Sequence, residues 1–288
     1  MPSGFFALFD DIAVLMDDMA TMSKLATKKT TGILADDLAV NAEKASGFVS
    51  ARELPVLWAI TKGSFLNKLI ILPIGFLLSA FLPQVIVPIL LIGGTYLAFE
   101  GIEKIYEYLF HKDSHKTEEK HTELSAEELV QYEKEKVKSA VMVDFILSLE
   151  IIFLALGTVQ ESTLTVQIFA VTIVAFLATV GVYGIVALIV RMDDMGYSLI
   201  TAARNKNGFL AKLGSALVST LPWVVKGLSI IGTFAMILVA GGIYVHNIHY
   251  VHDLLHSIPS LLGEFLAGTV VGIIAVLLFN LYKLVIKK

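Results

Sequence analysis

The sequence contains no cysteine. Disulfide bonds, thiolate metal sites and cysteine nucleophiles are therefore excluded. There is no glycine-rich phosphate loop, no dinucleotide fingerprint, no nucleophile elbow and no zincin helix. Without a nucleotide-binding signature to power it, any transport would be secondary or passive. Charge is scarce, at 17% of residues, and no basic stripe is present, so nucleic acid is not an expected partner. No secretory signal is expected either. Asp10, Asp11, Asp17 and Asp18 interrupt the N-terminal segment and no basic region precedes it. The most informative absence is local: the stretches around Pro83, at 158–163 and at 246–260 hold no Lys or Arg.

What remains is strongly apolar. Hydrophobic residues make up 56% of the chain and the mean hydropathy is +0.76, too high for an ordinary soluble domain. A spanning helix needs about 20 mostly apolar residues, and 139–159, 164–190, 227–245 and 265–282 come near or exceed that. Residues 69–99 carry no charge, but Pro73, Pro83 and Pro88 break the run. Proline removes a helical hydrogen bond and clashes with the preceding turn, so this stretch predicts two helices with a turn at Pro83. The expected spans are 57–82, 84–108, 139–159, 164–190, 222–246 and 261–283.

The basic residues orient these spans. Residues 1–68 hold seven Lys/Arg, 104–138 seven, 191–226 five and 283–288 three, which accounts for all 22. Basic loops are retained in the cytoplasm. Six crossings with both termini cytoplasmic place every Lys and Arg on one side. The expected organisation is a cytoplasmic amphipathic and polar segment at 1–56, membrane helices at 57–110, a charged cytoplasmic linker at 111–138, membrane helices at 139–190, and a final unit at 191–288. Ser3 is placed to cap a helix over 4–26. Phe5, Leu8, Phe9, Ile12, Leu15, Met16 and Met19 share one face of it and the acids the other. That polar face is anionic, so docking on the rest of the protein is expected rather than binding to lipid. Ser125 and Glu128 form a capping-box pattern in the linker.

Met16-Asp17-Asp18-Met19 recurs as Met192-Asp193-Asp194-Met195. In register, Ala26, Gly32, Leu34 and Ala35 match Ala202, Gly208, Leu210 and Ala211, and Pro83, Tyr106 and Lys112 match Pro259, Tyr282 and Lys288. The shared order predicts an internal duplication. The fold class expected is an all-α polytopic membrane bundle of about six transmembrane helices, with two parallel pseudo-repeats and an amphipathic N-terminal helix. Sites in parallel-repeat transporters often lie at the repeat interface.

Several motifs carry a resemblance. Ser3-Gly4-Phe5-Phe6-Ala7-Leu8-Phe9-Asp10-Asp11-Ile12, Met16-Asp17-Asp18, Lys28-Lys29-Thr30, Gly32-Ile33-Leu34, Asp36-Asp37-Leu38-Ala39-Val40-Asn41 and Glu53-Leu54-Pro55-Val56-Leu57-Trp58-Ala59-Ile60-Thr61-Lys62-Gly63-Ser64 resemble the YedI-type bacterial inner-membrane proteins, a domain-of-unknown-function family. The resemblance runs the length of the chain. It implies a multi-pass location in the bacterial inner membrane and implies no activity.

The candidate site residues are mostly acids. Asp17/Asp18, Asp36/Asp37 and Asp193/Asp194 are adjacent carboxylates suited to a divalent cation, or to capping helix starts and pairing with nearby bases. Asp144 and Glu150 interrupt an apolar span. A charge at membrane depth costs at least about 2.5 kcal/mol, so both are candidates for a proton or cation pathway. Glu150 is expected deep, and Asp144 near the interface. Glu100, Glu103 and Glu107 read as an interfacial face, with Glu100 pairing Lys104. On a helix His249, His252, Asp253 and His256 fall at i, i+3, i+4 and i+7, a spacing suited to Zn²⁺ or a related metal, or to an interfacial lip. His111, His115 and His121 read as solvated. No cofactor is certain, and a divalent cation is the one these sets suit. The partners expected are the bilayer and an ion or small solute, with a homo-oligomer left open. The leading function is a secondary transporter or channel. The alternatives are a non-transporting scaffold or metal- or pH-sensing protein, and a lipid-acting membrane enzyme.

Overall fold

The computed structural model describes residues 3–45, 50–110, 126–203 and 208–286. Regular structure among them is all helical. The order is α1 (Ser3–Ala45), α2 (Ser50–Phe81), a 3₁₀ turn (Pro83–Val85), α3 (Ile86–Phe110), α4 (Ala126–Thr158), α5 (Leu164–Val190), α6 (Met192–Ala202), α7 (Phe209–Asn247), α8 (His249–Leu255) and α9 (Ser260–Ile286). Ser125, Lys112 and the histidines at 111, 115 and 121 lie outside the described residues, as do the side chains of Phe5, Leu8, Phe9 and Ile12.

Six helices are long and apolar enough to cross a bilayer: α2, α3, α4, α5, α7 and α9. The chain is a polytopic, all-helical membrane protein. The break at Pro83 falls where expected. Leu82 leaves helical space at φ −141°, a conformation favoured before proline, and the 3₁₀ turn redirects the chain into α3. At the basic end the helices run longer than the apolar windows. The helix expected from the capping-box pattern runs on into the span at 139, so α4 begins at Ala126, and α7 begins at Phe209 rather than 222.

α4 is the central span: 67% of its apolar window is buried, against 22% for α2 and for α9. Its Val143, Leu147, Ile151, Ile152 and Ala155 pack with Ile71, Leu97, Val171 and Met236 in one core. The outward faces of α2 and α9 stay apolar, with Leu69, Leu77, Phe81, Leu277 and Leu278 exposed. Such a surface suits lipid and would be an aggregation liability in water. Trp58 is exposed near the basic end with the Lys62 ammonium 5.2 Å from its ring, a suitable pair for the headgroup zone.

α1 departs most from expectation. It is one helix of 43 residues rather than a surface helix ending near 26, and it docks inside the bundle against α4, α5 and α7. Ala26, Thr30, Asp37, Asn41 and Lys44 are buried and recur at helical spacing along one stripe. It runs antiparallel to α7. Gly232 faces Ala39 and Glu43, while Asp36 shares a cavity with His246 and Asn247 at the far end of α7. Lys24, Lys28 and Lys29 therefore stand roughly 10 to 18 Å beyond Asp36 at 1.5 Å per residue. That places them at the end of the bundle with the basic-free turns. A helix of about 65 Å exceeds the roughly 30 Å hydrocarbon core, so α1 is long enough to pass through it. Lys44 and Lys68 are also buried, at 8% and 5% exposure. Because α1 mixes charge with apolar residues, no hydropathy window reports it. The test is simple in a chain without cysteine. Single cysteines at Asp17 and at Arg191, both exposed, are expected to react with a membrane-impermeant maleimide from opposite sides; reaction from one side only would show that α1 does not cross.

The two Met-Asp-Asp-Met stretches have unlike surroundings. One lies within α1, and the other opens the 11-residue α6. α6 folds back on α7 where Gly196 and Gly214 bring the two backbones together. Their counterparts in the first stretch are Ala20 and Leu38. Both carry a side chain where the close approach of α6 to α7 has none.

Candidate functional site

Burying a charge requires a partner or a cavity that supplies one, so the polar groups inside the bundle locate the site. The first cluster centres on Asp144 of α4, 1% exposed. Its Oδ1 accepts from Ser64 at 2.7 Å, from Tyr183 at 2.9 Å and from the Lys68 ammonium at 3.4 Å. Its Oδ2 accepts from Asn67 at 3.1 Å. Lys68 also donates to Ser64 and Ser148, each at 2.9 Å. The Tyr183 hydroxyl is also 2.9 Å from Asn41 Oδ1, and Asn41 donates to the Asp37 carboxylate at 2.6 Å. An unbroken chain thus runs Lys68–Asp144–Tyr183–Asn41–Asp37 and ties α2, α4, α5 and α1 together. The phenol has one proton and faces two acceptors, Asn41 Oδ1 and Asp144 Oδ1, so its hydrogen has two positions. Asp144 is buried, with α1 and α5 covering it.

A second cluster lies nearer the basic end. The Lys44 ammonium pairs with Glu100 and donates to Ser139 at 2.8 Å, and Lys104 donates to Glu43 at 2.7 Å. Glu100 therefore does not pair with Lys104, because α1 offers each a closer partner. Arg52 holds Glu133 through two bonds, 2.9 Å from Nε and 2.5 Å from Nη2. A fork-to-fork pair of this kind fixes orientation as well as charge.

The third feature is a cavity of about 540 Å³ between α1, α3, α4, α7 and α9, toward the basic-free end. Three carboxylic residues line it from three helices: Asp36, Glu150 and Glu264. Ile86, Leu90, Phe153, Leu238 and Leu261 supply apolar wall, and among the described residues no Lys or Arg takes part. Glu150 Oε2 is closed off from solvent and has no hydrogen-bond partner among the described residues. His246 Nδ1 is 2.7 Å from the Gly242 carbonyl. A carbonyl only accepts, so Nδ1 carries a proton and Nε2 is left free for a second role.

The other candidates are dispersed. Asp17 and Asp18 are exposed on α1. Asp193 and Asp194 sit in the first turn of α6, where Asp193 accepts the Asp194 backbone N–H at 2.7 Å and Asp194 pairs with Arg191 at 2.8 Å. These acids stand at opposite ends of the bundle and do not form a shared interface. His249, His252 and Asp253 lie exposed on the short α8, followed by His256, and the rings of His252 and His256 are 6.1 Å apart. Among the described residues no three His, Asp or Glu side chains stand close enough to hold a metal ion. Lys68, Tyr183, Asn41 and Glu264 escaped the sequence reading. Each is a polar residue within or beside an apolar run, which is the signal that could have found it.

The sequence model of a family described as "Protein of unknown function (DUF808)" matches residues 3–286. No curated protein and no solved structure matches the chain.

Proposed function

The chain belongs to that family of unknown function, and with no activity to inherit from it we propose, from the site alone, that this protein is a secondary transporter of a small cationic solute or ion. The observation that carries the reading is a cavity lined by three carboxylic residues, Asp36, Glu150 and Glu264, of which Glu150 also has an oxygen, Oε2, buried without a hydrogen-bond partner among the described residues. Three carboxylates in a low-dielectric space, with no Lys or Arg beside them, cannot all carry charge without a counter-ion. A cation entering the cavity supplies it. The Lys68–Asp144 pair lies outside the cavity lining and is already satisfied, so it holds the helices in place while Glu150 is free to bind. The hydrogen-bonded chain from Asp37 to Asp144 offers a proton an alternative position through the Tyr183 phenol and so supports coupling to proton movement. No ATP-binding loop is present, and an electrochemical gradient is the energy source consistent with that.

The location that fits is the bacterial inner membrane. The end rich in Lys and Arg, where α9 finishes, faces the cytoplasm, and the cavity lies in the half toward the other face. Purified protein in vesicles loaded with a pH-sensitive dye is expected to move protons when Na⁺, K⁺ or methylammonium is offered outside. Glu150→Gln is expected to abolish that flux. A flux that the substitution leaves unchanged would remove Glu150 from the pathway.

A further inference from the structure

The cavity walls specify more than the sign of the solute's charge. An inorganic cation that sheds its water needs about six oxygen ligands in close array. Among the described residues no three acidic or histidine side chains converge that closely. Most of the wall is hydrocarbon from Ile86, Leu90, Phe153, Leu154, Leu238 and Val239, which has no oxygen to offer a bare ion. A primary ammonium is less demanding. Its three N–H donors are satisfied by a few acceptors, and the rest of such a molecule gains from apolar contact.

We infer that the cavity between α1, α4, α7 and α9 binds a small organic ammonium compound, with its charged head at Glu150 and its hydrocarbon body against the walls from α3, α4 and α7. This inference rests on the transport reading for its physiological sense, but not for its test. Glu150 is the group in need of a partner, because its Oε2 has none. Glu264 stands beside Gly242, on the same wall as His246: a Cβ at Gly242 would lie 3.9 Å from its Oε2 and 3.8 Å from the His246 ring nitrogen. Asp36 faces the same space from α1. Carboxylic residues from three helices thus line the space around the ligand. A space of about 540 Å³ falls within the roughly 300–1,000 Å³ common for small-molecule sites.

Equilibrium binding to the full chain in lipid nanodiscs decides this, with n-butylammonium as the probe and 1-butanol as its neutral counterpart. Calorimetry is expected to show saturable binding of n-butylammonium, at least tenfold weaker in Glu150→Gln, and no comparable binding of 1-butanol. Na⁺ or Ca²⁺ at equal concentration should not displace the amine. Equal binding of the alcohol would overturn the inference, and so would displacement by the inorganic ions. If Glu150→Gln does not fold, Glu264→Gln is the second variant. Wild-type affinity in Glu264→Gln would then be the contrary result. Binding without flux in vesicles would sink the transport reading and leave the ligand class standing. Flux of Na⁺ or K⁺ without amine binding would do the reverse.

Discussion

Replacing Lys68 with methionine is expected to destabilise the folded bundle by about 3–5 kcal/mol, the range for breaking one side of a buried ion pair. Asp144 would keep its bonds from Ser64, Asn67 and Tyr183. It would lose the cation in a place where water cannot replace it. Deleting a neutral partner should cost far less. Hydrogen bonds between membrane helices average about 0.6 kcal/mol in double-mutant cycles, so Ser64→Ala and Tyr183→Phe belong at that level. The double variant Lys68→Met/Asp144→Leu removes both charges together, and it is expected to recover most of the loss. Thermal unfolding of the four variants in one detergent checks this. A Lys68→Met protein as stable as the wild type would show that the pair is not where the bundle draws its charge compensation. The same experiment separates scaffold from site, because Glu150→Gln removes no partner of any described group and should leave the unfolding midpoint nearly unchanged.

Valine at Gly241 or Gly268 is expected to loosen the contact between α7 and α9, at a cost at or above the usual 1–3 kcal/mol for overpacking. The reason is the identity of the atoms in the way. A Cβ at Gly241 would overlap the carbonyl oxygen of Glu264, and one at Gly268 the carbonyl oxygen of Ile237. A side chain can rotate aside, but a helix carbonyl committed to its own hydrogen bond cannot. The helices would have to separate, and Glu264 would move with α9 away from the cavity. Gly268 and Gly272 stand four residues apart on α9. A Cβ at Gly272 would lie 2.5 Å from the Ala98 carbonyl oxygen of α3, so one small-residue stripe seats α9 on two neighbours. Gly181 and Gly227 provide the controls, because a Cβ at either meets nothing within 4 Å. Alanine there should be neutral or better. A Gly241→Val protein with the unfolding midpoint of a Gly181→Ala protein would contradict the close approach.

Much of the bundle was legible because hydropathy is local. Apolar runs of sufficient length, a proline at 83 and basic-free turns at 158–163 and 246–260 place the six spans and their far ends to within a few residues. α1 was not legible, because its charges are satisfied by distant parts of the chain. Lys44 finds Glu100, 56 residues away, and Ser139, 95 residues away. Asn41 finds Tyr183, 142 residues away. Pattern reading assigns a helix with that much charge to water, since it cannot see the partners. The two Met-Asp-Asp-Met stretches lie in unlike surroundings, and glycine stands at 196 and 214 where Ala20 and Leu38 stand in the first stretch. Within the site, Glu150 was found as a lone acid in an apolar helix. Glu264 and Asp36 became its companions only when α9 and α1 closed around α4.

From the amino acids alone came the solvent and the count of apolar crossings, since transfer of a side chain from water to hydrocarbon depends on the residue and its near neighbours. Which charges are neutralised, and which one is left facing an empty space, depends on groups brought together from five helices. Only the packed bundle decides that, because an ion pair forms between positions in space and has no counterpart in chain order.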